Sequence, residues 1–339
     1  MKLKYRLSLI IALFISTIAY GQNKTDATTL VKQGIALHNE GKYTEAIQKY
    51  QEAIKIDPDN RQGLYQLAYT LFTSGKGKEA VPYLEKVIRL DPDSPGAYDM
   101  LGSIYDDDNQ TEKALDYYMK GIKVAPNYQR LYYNLAIMQY RQGKYPEAEA
   151  SIINAIKLDP RHASSQRVYA LVAKQQNKLG NSLLSWCSFL LIEPQTKRSA
   201  EAMAYIKAII NYAIKRNTDK NITVTLNQNN TNPVGLMMPL AVINATAGKT
   251  NLSPVDSLTL QLSSLFQVAP SIISDKDQPF ASKFLAGYFE ALGKSGNMPA
   301  FVRFLSISAY PDENKKWITE HDKEFTALSN WATSTKREF

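Results

Sequence analysis

Five prolines, Pro58, Pro92, Pro126, Pro160 and Pro194, stand 34 residues apart in a chain of 339. A fixed period of this length means one supersecondary unit repeated, which constrains the fold more than composition does. Four of the prolines follow an acid (Asp57, Asp91, Asp159 and Glu193), with Ala125 the exception. When repeats open at Ala27, Arg61, Pro95, Gln129 and Ala163, position 8 is Gly34, Ala68, Gly102, Ala136 and Ala170. Position 20 is Ala46, Ala80, Ala114, Ala148 and Ser182, and position 27 is Ala53, Val87, Gly121, Ala155 and Phe189.

Within a repeat, positions 4, 7, 8 and 11 have the three-to-four spacing of one helix face, as in Leu64, Leu67, Ala68 and Leu71. Positions 20, 24, 27 and 30 give a second face: Ala80, Leu84, Val87 and Leu90. Small residues at 8 and 20 let the two helices approach closely. Gly41, Gly75 and Gly143 fall between the helices, where a left-handed residue ends the first one. Proline at position 32 cannot continue the second helix.

This pattern resembles the tetratricopeptide repeat (TPR) family, over residues 27–196. The resemblance implies an all-α solenoid, a right-handed superhelix of helix pairs with a concave groove. The repeats run 27–60, 61–94, 95–128, 129–162 and 163–196. The fifth is degenerate, with Trp186 at position 24 and Phe189 at 27, and reads as the junction with the C-terminal half. Repacking around Trp186 would make Ser182 more tolerant of enlargement than the alanines it replaces. Each large buried residue contributes about 1.5–3 kcal/mol, and no repeat completes its own core, so the array stabilises itself cooperatively.

Of 21 tyrosines, 15 lie in the repeats. Tyr65, Tyr69 and Phe72 occupy positions 5, 9 and 12, one stripe of a helix, and Tyr133 and Tyr140 stand at 5 and 12 of the fourth repeat. The resemblance implies that these positions face the groove, where aromatics with a polar handle suit binding. With Asp99 and Asn134, at positions 5 and 6 of their repeats, they make the predicted partner-binding set. The opposing reading is that the aromatics pack against the next repeat's first helix. The carboxylate grip of some TPR proteins is not reproduced. Val31, Ile35, Gln66, Gly96 and Met100 stand at its positions, and a start at the third repeat recovers only Asn134.

Residues 197–339 read as an irregular helical region of no recognised family. A helix is expected over 197–216, with Met203, Ile206, Ile210 and Ala213 on one side. Ile222–Leu226 alternates like a short strand or an extended loop. Ser253 followed by Pro254 predicts a helix start. Ser274 would open a helix ending near Gly293 or Gly296, and Asn297 would cap another. Pro311 would begin a last one bearing Trp317, His321, Phe325 and Leu328 on one face.

Lys2, Lys4 and Arg6 precede an apolar run, Leu7–Tyr20, that ends in Ala19-Tyr20-Gly21. This is the pattern of a cleaved signal peptide, residues 1–21, against the alternative of an uncleaved anchor. The run is short beside the roughly 20 residues of a spanning helix. The expected location is therefore the periplasm or cell envelope. No cysteine follows the run, so a lipoprotein is not indicated. The net charge of +8 is not clustered into a basic stripe, which argues against nucleic acid.

Catalytic and metal motifs fail on inspection. Gly248-Lys249-Thr250 lacks the leading glycine of a phosphate loop, since Ile243 stands there. Asp106-Asp107-Asp108-Asn109 lacks the glycine and glutamate of a calcium loop, having Thr111 and Tyr117. His162 and His321 each have one carboxylate nearby in sequence, Asp159 and Glu324. Cys187, the one cysteine, reads as a small buried hydrophobe. The expectation is a non-catalytic protein-binding scaffold with no cofactor and no metal. A glycan-binding protein, or an enzyme with its site in residues 197–339, are the rival readings.

Overall fold

A computed structural model describes residues 26–216, 222–224 and 233–339. The proposed leader and the Asn/Gln-rich run 227–230 lie outside the described residues. Helix α1 covers 26–39, and pairs then follow in the predicted phase. They are α2 (Tyr43–Ile56), α3 (Arg61–Thr73), α4 (Gly77–Leu90), α5 (Pro95–Asp107), α6 (Thr111–Val124), α7 (Gln129–Arg141), α8 (Tyr145–Leu158), α9 (Ala163–Gln175) and α10 (Leu179–Ile192). The chain forms two compact units, one ending at Met138 and one running from Gln139 to Phe339.

Local chemistry sets these boundaries. Gly41, Gly75 and Gly143 have φ of 76°, 80° and 73°. The third and fifth repeats lack that glycine, and Asn109 and Asn177 take the same conformation at φ 58°. Asparagine is the non-glycine residue best suited to it. In α2, α4, α6 and α8 the first turn carries Glu45, Glu79, Glu112 and Glu147, and the last carries Lys55, Arg89, Lys123 and Lys157. Both ends complement the helix dipole.

In the first unit, Leu64, Leu67, Ala68, Ala80, Leu84 and Val87 share one core with residues of α1, α2 and α5. Tyr98, Ala114, Tyr118, Leu131, Leu135 and Met138 form a second cluster. The position-20 alanines Ala46, Ala80, Ala114 and Ala148 are fully buried.

The second unit explains why the fifth repeat departs from the pattern. Helix α10 has no acid in its first turn and no base in its last, and residues Gly180 to Leu190 are all buried. A helix that is apolar all round is a buried helix. It packs on α9 and also on C-terminal elements. Trp186 stacks on Tyr205 at 4.8 Å, in the following helix α11 (Lys197–Ile210). Ser182 is nonetheless not relaxed: it is fully buried, and its Oγ donates to the Ala170 carbonyl at 2.7 Å. The expected tolerance at this position is therefore corrected.

Helix α11 stops at Ile210, short of the expected residue 216, because Ala213 turns to φ 64°. β1 (Ile214–Arg216) then pairs antiparallel with β2 (Ile222–Val224), Ile214 opposite Val224. The rest of the described unit is helical: α12 (Pro233–Thr246), α13 (Pro254–Gln267), α14 (Ala269–Ile272), a π-helical stretch (Phe280–Gly287) running into α15 (Tyr288–Lys294), α16 (Met298–Leu305), α17 (Pro311–Glu320) and α18 (Asp322–Ser334). Ser253 caps α13, accepting from the Asp256 N–H at 3.1 Å. Ser274 opens no helix; Asp275 beside it has φ 56°, and helical structure resumes at Phe280. The expected single last helix is two, broken where His321 leaves the helical region at φ −125°, ψ 45°.

Buried polar contacts tie the second unit together. Asn181 of α10 donates to Tyr169 Oη and accepts from the Ser274 N–H at 2.8 Å. Lys178 reaches both Glu149, at 2.5 Å, and Asp275, at 2.6 Å. Arg303, almost fully buried, joins α16 to Asp256 of α13 and to Glu313 of α17.

Candidate functional site

The predicted binding residues of the first unit do not form one uniform stripe. Tyr69 is exposed on α3, with its ring 5.1 Å from that of His38 on α1. His38 also meets Tyr43 at 5.2 Å, and its Nδ1 lies 2.9 Å from Thr70 Oγ1. Tyr65 is half-buried and leans on α5. A Cβ on Gly96 would lie 2.5 Å from its hydroxyl, so the missing side chain there makes room for it. Phe72 turns toward the start of α4, beside Gly77 and Ile104, and packs on the core. The packing reading thus describes Phe72 and much of Tyr65, while Tyr69 is open to solvent.

A polar centre lies beside Tyr65. Asp99 is buried on α5, and Asn134 Nδ2 donates to its Oδ1 at 2.7 Å. Arg130, largely exposed, approaches its Oδ2 at 3.3 Å. Burial raises the Asp99 pKa above the ordinary carboxylate range, with Arg130 and Asn134 opposing. Tyr65 and Tyr128 are raised as well, chiefly by burial, and each feels both Asp99 and Arg130. The arrangement is a carboxylate held at an electrostatic cost among tyrosine hydroxyls, with one cation at its open edge. Such strained groups concentrate at functional sites, as they do at structural ion pairs.

Tyr133 is half-buried on α7, next to Asn134. Tyr140 belongs to the second unit, where its hydroxyl accepts from Gln175 Nε2 at 3.5 Å and its ring lies 5.8 Å from Tyr145. The sequence reading missed His38, Tyr128 and Arg130. His38 stands at the same repeat position as Phe72 and Tyr140, which was the available signal.

The repeats explain this geometry, since residues at one repeat position recur on one face. Sequence-family profiles described as TPR repeat and tetratricopeptide repeat match residues 34–75, 62–94, 95–128 and 117–150. Residues 34–150 are tetratricopeptide repeats. No curated protein matches the chain. Among solved structures, the TPR array is similar to MamA, at 23% identity over 52% of this chain and 94% of that one, TM-score 0.44. It is similar to PilF of Pseudomonas aeruginosa at 15% identity over 56% and 90%, TM-score 0.49. YrrB, titled a TPR protein with an unusual peptide-binding site, matches at 20% identity over 56% and 97%, TM-score 0.43. The TPR assignment rests on the repeats themselves and not on these global likenesses.

Other candidate chemistry resolves into structure. Cys187 is fully buried and burial pushes its thiol pKa far up, the opposite of an activated nucleophile. His321 stacks on Trp317 at 4.1 Å, with Nδ1 2.9 Å from the Trp317 carbonyl. His162 Nδ1 lies 2.8 Å from Ser165 Oγ at the start of α9. Asp108, at the end of α5, pairs with Lys78 of α4 at 2.5 Å. Among the described residues no three His, Cys, Asp or Glu side chains gather as a metal site, and no helix is long and apolar enough to cross a membrane.

Proposed function

We propose that this TPR protein is a non-catalytic scaffold, exported to a bacterial cell envelope, that holds a segment of a partner protein on the face formed by α3, α5 and α7. The observation that carries this reading is Asp99. A carboxylate with a raised pKa, kept beside tyrosines instead of being replaced by an apolar residue, is costly to the fold. Its use is to hold the largely exposed Arg130, which with Tyr69 presents a mixed polar and aromatic surface for a peptide. Helical repeats supply such a surface along their length.

The test is crosslinking and capture from the native envelope with full-length protein. Tyr69→Ala should weaken capture of the partner by about 1–3 kcal/mol, the scale of an interface anchor, and barely shift the melting temperature. Tyr65→Ala should weaken both capture and folding, because Tyr65 packs on Gly96. Unchanged capture by both variants would remove this face from the function. Export rests on the basic and apolar opening of the chain, and N-terminal sequencing of the envelope protein should begin at Gln22. An intact Met1 would overturn export alone.

A further inference from the structure

The second unit contains a half-open cavity of about 990 Å³, at the upper end of the range for small-molecule pockets. One wall is aromatic: Phe284, Tyr288, Phe304, Phe325 and Trp331. The charged residues of its lining are Arg161, Lys336 and Arg337, and no acid is among them.

Arg337 gives the cavity a polar pole. Its Nη1 donates to Ser188 Oγ at 2.8 Å. Its guanidinium lies over the rings of Tyr288, Phe284 and Phe289 at 4.2, 4.9 and 5.2 Å. Phe339 stacks on Phe284 at 4.7 Å. Among the described residues no carboxylate comes within 4.0 Å of this guanidinium, although Arg303, Arg198 and Arg167 of the same unit each have one. A guanidinium has five N–H donors, and the hydroxyls of Ser188 and Tyr288 use only part of them. Burial accordingly lowers the Arg337 pKa, against the pull of Tyr288. Arg337 is half-buried, and with no acid beside it the donors that Ser188 and Tyr288 leave over are available to an incoming anion.

We propose that this cavity binds a small amphiphilic carboxylate, an acyl chain lying along the aromatic wall with its carboxylate on Arg337. The occupant follows from the lining: a ring-walled volume takes the apolar body, and three cations with no acid select the anionic head. A bidentate carboxylate also matches the planar fork of arginine better than a neutral hydroxyl does. The site is independent of the α3, α5 and α7 face, and its test does not depend on that reading.

The test is calorimetric titration of the full chain with dodecanoate and, separately, with 1-dodecanol. Dodecanoate should bind saturably at one site, at least about tenfold more tightly than the alcohol, the least that a charge-assisted hydrogen bond brings. Arg337→Met should weaken dodecanoate by about tenfold or more and leave dodecanol unchanged. Arg337→Lys should retain part of the preference for the acid. The comparison of acid with alcohol on the unaltered protein stands even where a variant fails to fold. Equal affinity for acid and alcohol, or no saturable binding of dodecanoate, would overturn the proposal. So would binding of an acetylated tripeptide ending in phenylalanine with none of dodecanoate, which would assign the pocket to a protein C-terminus.

Discussion

Gly102 and Tyr118 fit one another: a Cβ on Gly102 would lie 2.5 Å from the Tyr118 ring. Gly34 and Tyr50 stand in the same relation, at 2.4 Å. Both pairs occupy positions 8 and 24 of their repeats. Where position 8 is Ala68 or Ala136, position 24 is Leu84 or Ile152. In the first four repeats the closest point of a helix pair thus keeps combined volume, with glycine opposite tyrosine and alanine opposite an aliphatic residue; the fifth, with Ala170 and Trp186, departs from it.

Gly102→Ala should therefore destabilise the first unit by about 1–3 kcal/mol through overpacking. Tyr118→Leu should leave a cavity and also cost stability. The double variant should recover part of both losses in urea unfolding followed by circular dichroism. Strict additivity would show that the two side chains are not coupled.

Ala80→Leu and Ser182→Leu should be comparably harmful, each by about 1–3 kcal/mol. Both positions are fully buried, and the serine change also removes the donor to the Ala170 carbonyl. A well-tolerated Ser182→Leu would mean that α10 can shift away from α9, and thermal melts of the two variants decide it.

The raised pKa of Asp99 has a definite pH signature. The fold favours the protonated form, so the stability it contributes is complete below the unfolded pKa of about 3.9 and is lost as pH rises through the folded value. Asp99→Asn abolishes that loss and keeps an acceptor for Asn134. The variant should be at least as stable as the parent at neutral pH, and the difference should vanish on acidification. A marked loss at neutral pH would show that the attraction of Arg130 outweighs burial.

Glu313 has the opposite sign. Burial works against its carboxylate, but hydrogen bonds from Arg303 and Ser253 hold its pKa below the ordinary value. Its contribution is present above the unfolded pKa of about 4.3 and is lost as pH falls through the folded value. Glu313→Gln should lower the melting temperature near neutrality, with the gap to the parent closing in acid. A constant gap would assign the effect to packing.

Much of the first unit is legible from residue types at fixed spacing. The 34-residue period places every helix from α2 to α10, and Gly41, Gly75 and Gly143 mark the turns because few residues accept their φ. The face bearing Tyr65, Tyr69 and Asp99 follows from the same phase. Phe72 lies on the predicted stripe and still packs on the core, beside Gly77 and Ile104. Periodicity gives a direction from the helix axis, not the final rotamer.

What depends on neighbours within one turn or one repeat could be read along the chain: helix ends, turn residues and the small positions where helices meet. These are local interactions, and a 34-residue period repeats them in register. Three-dimensional packing set which distant groups share a space. His38 meets Tyr69 from another repeat, and Arg337 meets Ser188 from 149 residues away. It also decided that α10 is buried on all sides, which turns the apparent degeneracy of the fifth repeat into the core of the second unit. Such pairings depend on how whole elements pack, and no pattern along the chain encodes which partner a side chain finds.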